Sequence, residues 1–254
     1  MAVRPVSHEW GLFIWALDDG TGVVTGQFRD DAGSLAVRIA QCYPGPLLLR
    51  GPGTERLADQ MGDRVCVDPN PGDTSEIDRV LSQYEEETVA SLPRLVLATD
   101  GSADNTGHAG LGWAGDDGRH FAHGWRRTGG SRQSNALRAE FAAVVSAIDN
   151  VNPRRRLELQ IDNRTVLADV EKAVQGLPVQ FGSRFPPRTL ARLVEMDIRP
   201  TWVKGHHGHW LNETADRLAV YARRCSIAGM SPREEVTREI VDNGGLGEAV
   251  GAAG

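Results

Sequence analysis

Apolar residues recur along this chain with two periods, and the places where the period changes mark its elements. Residues 11–17 and 22–28 are apolar runs separated by Asp18-Asp19-Gly20-Thr21, a composition that turns a β-hairpin. Leu35, Ile39 and Cys42 give residues 34–43 a helical spacing. Residues 46–49 and 64–67 read as short buried strands around a short helix at 54–61. Pro69-Asn70-Pro71-Gly72 reads as a turn. Thr74 or Ser75 then caps a helix running towards Ala90, with Ile77, Val80, Leu81 and Tyr84 on one face.

From residue 94 the pattern becomes stronger. The unbroken apolar run at 94–99 predicts a central strand buried on both faces. A Gly-rich loop at 101–107 follows, then strands at 110–114 and 119–125 joined by Gly115-Asp116-Asp117-Gly118. Leu137, Phe141, Val144, Val145 and Ile148 form one stripe on a helix over about 135–149. Residues 157–161 alternate as a strand. Helices at 166–174 and 188–196 flank a Pro/Gly/Phe segment at 175–187, and 199–204 is the last strand. Asn212 is expected to cap a final helix to about Arg224, and 243–254 to form a flexible tail. The chain thus reads as a small acidic α/β domain at 1–92, a larger α/β domain at 93–225, and an acidic helix with a Gly-rich tail at 226–254.

Composition narrows the class. No apolar run approaches the roughly 20 residues that span a bilayer. The start, Met-Ala-Val-Arg-Pro, lacks the apolar core of a signal peptide. Cys42, Cys66 and Cys225 are sparse and show no Cys-x-x-Cys spacing, which fits reduced thiols. A cytoplasmic protein with no membrane partner is expected. The net charge of −6 hides an asymmetry: residues 94–225 carry 19 Lys and Arg against 14 Asp and Glu, whereas residues 1–93 carry 7 against 15. A basic segment inside an acidic chain points towards nucleic acid.

Four acids inside that basic segment stand in or beside apolar stretches: Asp100, Glu140, Asp162 and Asp216. Each alone has an ordinary reading as a turn residue, a strand-end cap or a solvated helix face. Together they allow another. Asp100 and Asp162 end strands that would run parallel side by side, where α/β sheets place ligands. Glu140 shares the sheet-facing side of its helix, and Asp216 lies one turn into the last helix. Buried carboxylates are costly unless neutralised, and a pair of divalent cations would do so.

The flanking residues resemble type 1 ribonuclease H. The resemblance rests on Thr99-Asp100-Gly101-Ser102, Arg138-Ala139-Glu140 and Asp162-Asn163. Above all it rests on Trp202-Val203-Lys204-Gly205-His206-His207-Gly208-His209-Trp210-Leu211-Asn212-Glu213-Thr214-Ala215-Asp216. It covers about residues 94–225. It implies a ribonuclease H-like mixed five-stranded sheet, order 3-2-1-4-5, with flanking helices. It also implies an endoribonuclease hydrolysing the RNA strand of an RNA–DNA hybrid to 5′-phosphate and 3′-hydroxyl ends. Asp100, Glu140, Asp162 and Asp216 would bind two Mg²⁺ ions, with Mn²⁺ as an alternative, and His206 would assist as a loop histidine.

Candidate substrate contacts on nearby loops are Asn105, Ser134, Asn135 and Arg164. Two departures from the family pattern bear on them. Ser134-Asn135 stands one residue further from Glu140 than the family's pair, and the loop holding Asn105 is one residue short. In place of a Lys- and Trp-rich protrusion, residues 175–192 carry Arg184, Arg188, Arg192, Phe181 and Phe185. Competing readings are another nuclease of the same fold, a non-catalytic hybrid-binding or scaffold module, and a zinc site of His206, His207 and His209 with Cys225. The acidic first domain, with its charge of −8, reads as a surface for a protein partner or self-association.

Overall fold

The computed structural model describes residues 2–5, 12–18, 23–29, 47–49, 65–67, 75–127, 129 and 131–251. They divide into two compact units, Met1–Leu92 and Pro93–Gly254. The expected helices at 34–43 and 54–61, the hairpin turn and the 69–72 turn lie outside the described residues.

In the first unit, β1 (Ala2–Pro5), β2 (Leu12–Asp18) and β3 (Val23–Arg29) form an antiparallel sheet in that order. The sequence pattern does not reveal β1, which is short and ends in proline. β4 (Leu47–Leu49) and β5 (Val65–Val67) pair in parallel. Helix α1 (Ser75–Ser91) buries Leu81 and Val89 with Ile14 and Ala16 of β2, and Ile77, Tyr84, Val23 and Leu92 pack around them. The helical stripe read from the sequence is therefore the packed face.

The second unit holds β6 (Leu95–Ala103), β7 (His108–Gly115), β8 (His120–Arg126), α2 (Arg132–Asp149), β9 (Leu157–Ile161), α3 (Arg164–Val174), α4 (Pro187–Glu195), β10 (Ile198–Trp202), α5 (Trp210–Ile227) and α6 (Glu234–Gly251). The sheet order is β10-β9-β6-β7-β8. β6, β7 and β8 are antiparallel, and β9 is parallel to both β6 and β10. This is the mixed five-stranded order expected from the sequence.

β6 is central because both its faces are apolar. Leu95 and Leu97 join Phe141, Val144 and Ile148 of α2, while Ala98 joins Leu211, Ala215 and Leu218 of α5. Helix α5 lies unusually close to the sheet. A Cβ on Gly112 would come within 2.5 Å of Ala215 O and Ala219 N, so only glycine admits that approach. The close seam brings the start of α5 over the middle of β6.

Several boundaries differ from the sequence reading, each for a local reason. β6 continues to Ala103, because Gly101 and Ser102 keep their register with Leu111 and Gly110. Asp100 is therefore within the strand, and the expected Gly-rich loop shrinks to residues 104–107. Helix α2 starts at Arg132, capped by Ser131, whose hydroxyl accepts from the Ser134 N–H at 3.2 Å. β10 ends at Trp202, two residues before the expected end of the last strand. Helix α5 starts at Trp210 with His209 as its N-cap, so Asn212 lies inside the first turn. The stretch expected as a flexible tail is helical as far as Gly251. There α6 packs Val241 against the Leu211–Leu218 cluster and sets Gly244 directly on Thr214.

Candidate active site

The acids come together from four elements. Asp100 is 7% exposed within β6. Glu140 lies in the middle of α2, held against β6 because Gly101 has no side chain: a Cβ there would overlap the Glu140 and Ala139 backbone. Asp162 is the first residue after β9. One oxygen from each of Asp100, Glu140 and Asp162 lies within 4.8 Å of the others. Asp216, in the second turn of α5, is hydrogen-bonded to Asp100.

The electrostatics follow from that crowding. Burial raises the Asp100 pKa well above the ordinary carboxylate value, and Glu140, Asp162 and Asp216 add repulsion. Glu140 is pushed up to about 8, first by burial and then by Asp162. Asp162 is raised too, chiefly by burial, while a hydrogen bond from Asn212 and the proximity of His206 pull it back.

Neutral donors orient the acids. The Gly101 N–H and the Asn163 side chain donate to Glu140. The Asn163 Oδ1 also caps α3, accepting from the Thr165 and Val166 N–H groups at 3.1 and 3.3 Å. Asn212 is 2% exposed and bonds Asp162, while its Oδ1 has no partner among the described residues. Sequence reasoning gave Asn212 only a capping role and Asn163 none beyond its motif. Their adjacency to motif acids is the signal that could have flagged them.

The loop after β10 forms one wall. Gly205 lies against Asp162, where a Cβ would stand 2.7 Å from its Oδ2. His206 is exposed and has a left-handed backbone, φ 56°. His207 Nδ1 bonds the Gly205 carbonyl at 2.8 Å, and the Gly208 N–H donates to Glu213 Oε1 at 3.0 Å. Cys225 is buried fifteen residues along α5 from Trp210, about 22 Å by helix rise. The zinc reading with Cys225 is thereby excluded.

The substrate-contact candidates scatter. Asn105 is exposed in the turn that Asp104 organises by accepting from Thr106 and His108. Ser134 and Asn135 belong to the first turn of α2 instead of a loop, because Ser131 starts the helix before them. Ser134 is exposed and Asn135 is buried. No hydrogen bond joins these three to the acids among the described residues. Arg164, the first residue of α3, lays its guanidinium 4.2 Å from the Trp202 ring centroid. The Trp202 indole N–H in turn donates to the Asp162 carbonyl at 3.3 Å.

The donor set fits a hard divalent cation. All four groups are carboxylates, and no Lys or Arg is ion-paired with Asp100, Glu140 or Asp162 among the described residues. Magnesium-type ions are bound by such oxygen sets.

A mixed five-stranded α/β sheet carrying a buried carboxylate cluster on its central strand offers a divalent cation the oxygen ligands that metal-assisted hydrolysis uses. A family model described as RNase H matches residues 93–224, and the chain belongs to the RNase H family. Ribonuclease H of Polynucleobacter asymbioticus is 30% identical over 141 residues, which is 51% of this chain and 90% of that protein. Ribonuclease H of Phenylobacterium zucineum is 32% identical over 142 residues, 50% of this chain and 88% of that protein. Among solved structures, RNase H1 of Halobacterium salinarum is matched over 51% of this chain and 97% of its own, at 22% identity and a TM-score of 0.35. The matched domain is a ribonuclease H enzyme. No helix among the described residues is long and apolar enough to cross a membrane.

Proposed function

We propose that this chain hydrolyses the RNA strand of RNA–DNA hybrids, leaving 5′-phosphate and 3′-hydroxyl ends. The observation that carries the reading is the convergence of Asp100, Glu140 and Asp162 within 4.8 Å, with Asp216 bonded to Asp100. Asp100, Glu140, Asp162 and Asp216 would hold two Mg²⁺ or Mn²⁺ ions. Such ions, when bound, lower the pKa of a water and stabilise charge on the leaving oxygen. In the reaction a water gives up a proton as its oxygen bonds to phosphorus, the bond from phosphorus to the 3′-oxygen breaks, and that oxygen takes a proton. His206, beside Asp162 and open to solvent, is suited to carry a proton on its imidazole. Asn212 and Asn163 keep the Asp162 and Glu140 carboxylates aimed at one point.

Hybrid recognition would rest on the RNA 2′-hydroxyls and on groove shape. Arg164, pinned on Trp202 beside Asp162, is the best-placed of the contact candidates. Asn105, exposed in the turn after β6, and Ser134 and Asn135, in the first turn of α2, would be further contacts. Residues 1–92 are assigned a protein-partner or self-association role, tested by truncation at Leu92. An unchanged number of copies per particle on truncation would remove the self-association arm of that role.

The deciding test incubates the full chain with an end-labelled hybrid in Mg²⁺ and in Mn²⁺, alongside single- and double-stranded RNA. Cleavage confined to the hybrid, with 5′-phosphate and 3′-hydroxyl products, is expected. Absence of hybrid cleavage in both metals would overturn the proposal, and retained cleavage in Asp162→Asn would overturn the site.

A further inference from the structure

β8 is an edge strand of the sheet, and it carries Phe121, His123 and Trp125 at alternate positions. The two-residue period of a strand puts all three rings on one face. The Phe121 and His123 centroids are 6.4 Å apart, and those of His123 and Trp125 are 6.1 Å apart, with interplanar angles of 13° and 16°. From β7, buried Trp113 backs the row 6.1 Å from Phe121, its indole fixed to Ser146 Oγ at 3.0 Å. Phe121 is 41% exposed, and His123 is exposed as well. Phe121 and His123 thus present aromatic surface to water at one end of the row, while half-buried Trp125 anchors the other end on the core.

The Trp125 end of the row is cationic. Trp125 lines an open groove of about 370 Å³ with Arg138, Phe141, Val145 and Arg184. Arg127 and Arg184 are near enough to Arg138 to repel it. Buried nitrogens of Arg138 (Nε) and Arg184 (Nη1) have no hydrogen-bond partner among the described residues. Among the described residues no carboxylate is ion-paired with Arg126, Arg127, Arg138 or Arg184. Three crowded arginines without a counter-ion call for an anion.

We infer that the Phe121–His123–Trp125 row and the Arg127/Arg138/Arg184 cluster form a track for single-stranded nucleic acid, the unpaired extension of the hybrid being cleaved. The inference rests on the proposed substrate. Rings repeating along an extended strand offer one stacking face after another to successive bases, and the arginines neutralise phosphates. A duplex hides its base faces and cannot use the row. An acidic peptide would satisfy the arginines but gives the rings nothing to stack on. His123 lies across Leu111 of β7 from Gly101 of β6, so the track starts roughly 10 Å from the Gly101 backbone, on the face of the sheet against which α2 holds Glu140.

The test measures binding of the full chain by fluorescence anisotropy in EDTA. The probes are a blunt hybrid and the same hybrid carrying a single-stranded tail of about ten nucleotides, DNA or RNA, at either end. At least one tail is expected to tighten binding about tenfold. The exposed pair Phe121→Ala/His123→Ala removes that gain, and Arg127→Ala reduces it and flattens its salt dependence. In these variants blunt-hybrid binding and Mg²⁺-dependent cleavage stay at the parent level. The track is overturned if no tail tightens binding, or if the gain survives in the double variant. Failure of the parent chain to cleave the blunt hybrid would instead count against the proposed function, so the two failures are separable.

Discussion

Asn212 donates its side-chain amide to the carboxylate of Asp162, joining the first turn of α5 to the end of β9. The bond holds a would-be metal ligand from behind, and such partners are worth 10–100-fold in metal affinity or activity. Asn212→Ala is expected to lower cleavage by about that factor and to raise the Mg²⁺ needed for half-maximal rate. Asn212→Asp turns the donor into a second carboxylate facing Asp162 and is expected to be worse. Cleavage rates across a Mg²⁺ titration check both, and an alanine variant within twofold of the parent would remove Asn212 from the site.

Crowded carboxylates make the metal-free protein pH-sensitive in an unusual direction. The folded chain keeps a proton on Glu140 up to about pH 8, whereas the unfolded chain releases it near the ordinary value of 4.5. Between those values the folded state binds more protons, so stability falls as pH rises. Asp100 and Asp162, also raised, act in the same direction. In EDTA, the melting temperature is expected to drop by roughly 5 °C or more from pH 5 to pH 8. Mg²⁺ should reverse the drop, with its largest stabilisation at pH 8. A melting temperature that is flat with pH in EDTA would contradict the crowding.

The sheet order followed from the resemblance to ribonuclease H, whereas the apolar pattern by itself reports only that β6 is covered on both faces. Leu95 and Leu97 alternate with Val96 and Ala98, and the two sets enter different clusters. The four acids were legible because short motifs surround them. The orienting amides were not, since the use of Asn163 and Asn212 depends on which way a side-chain amide turns in the assembled fold. Helix starts were misread for a related reason. Both helices start before their apolar stripes: Ser131 caps α2 through its hydroxyl, and α5 begins where the His209 carbonyl accepts from the Glu213 N–H at 2.9 Å, with no side-chain cap. The aromatic row on β8 was hidden inside an ordinary-looking strand, because exposure of its outer face depends on where α2 lies.

Gly101 is required by close approach. Its missing Cβ is the space into which the backbone of Ala139 and Glu140 fits. Gly101→Ala forces α2 away from β6, an overpacking cost of about 1–3 kcal/mol. It also displaces the Glu140 carboxylate that the Gly101 N–H holds. Thermal melting should show a fall of several degrees, and cleavage at saturating Mg²⁺ should fall by more than the unfolded fraction explains. Equal losses in stability and activity would mean that Glu140 keeps its place.

Asp100→Asn separates stability from function most sharply. Asp100 is the most conflicted group of the cluster, buried in β6 and facing Glu140, Asp162 and Asp216. Asparagine keeps its shape and removes one charge from the crowd, so the metal-free protein is expected to gain stability, by the order of 1 kcal/mol or more at pH 8. The gain should shrink as pH falls, because the raised Asp100 and Glu140 carboxyls take up protons in the parent. The same change removes an oxygen donor that a divalent ion would use, so cleavage should fall by at least 10³-fold, an expectation drawn from the size of metal-assisted charge stabilisation. Stabilisation of the metal-free protein by Mg²⁺ should weaken in parallel. Melting curves with EDTA and with Mg²⁺, set beside cleavage rates, decide the matter: a variant that is less stable than the parent in EDTA at pH 8 would show that Asp100 serves the fold rather than a metal-binding cluster.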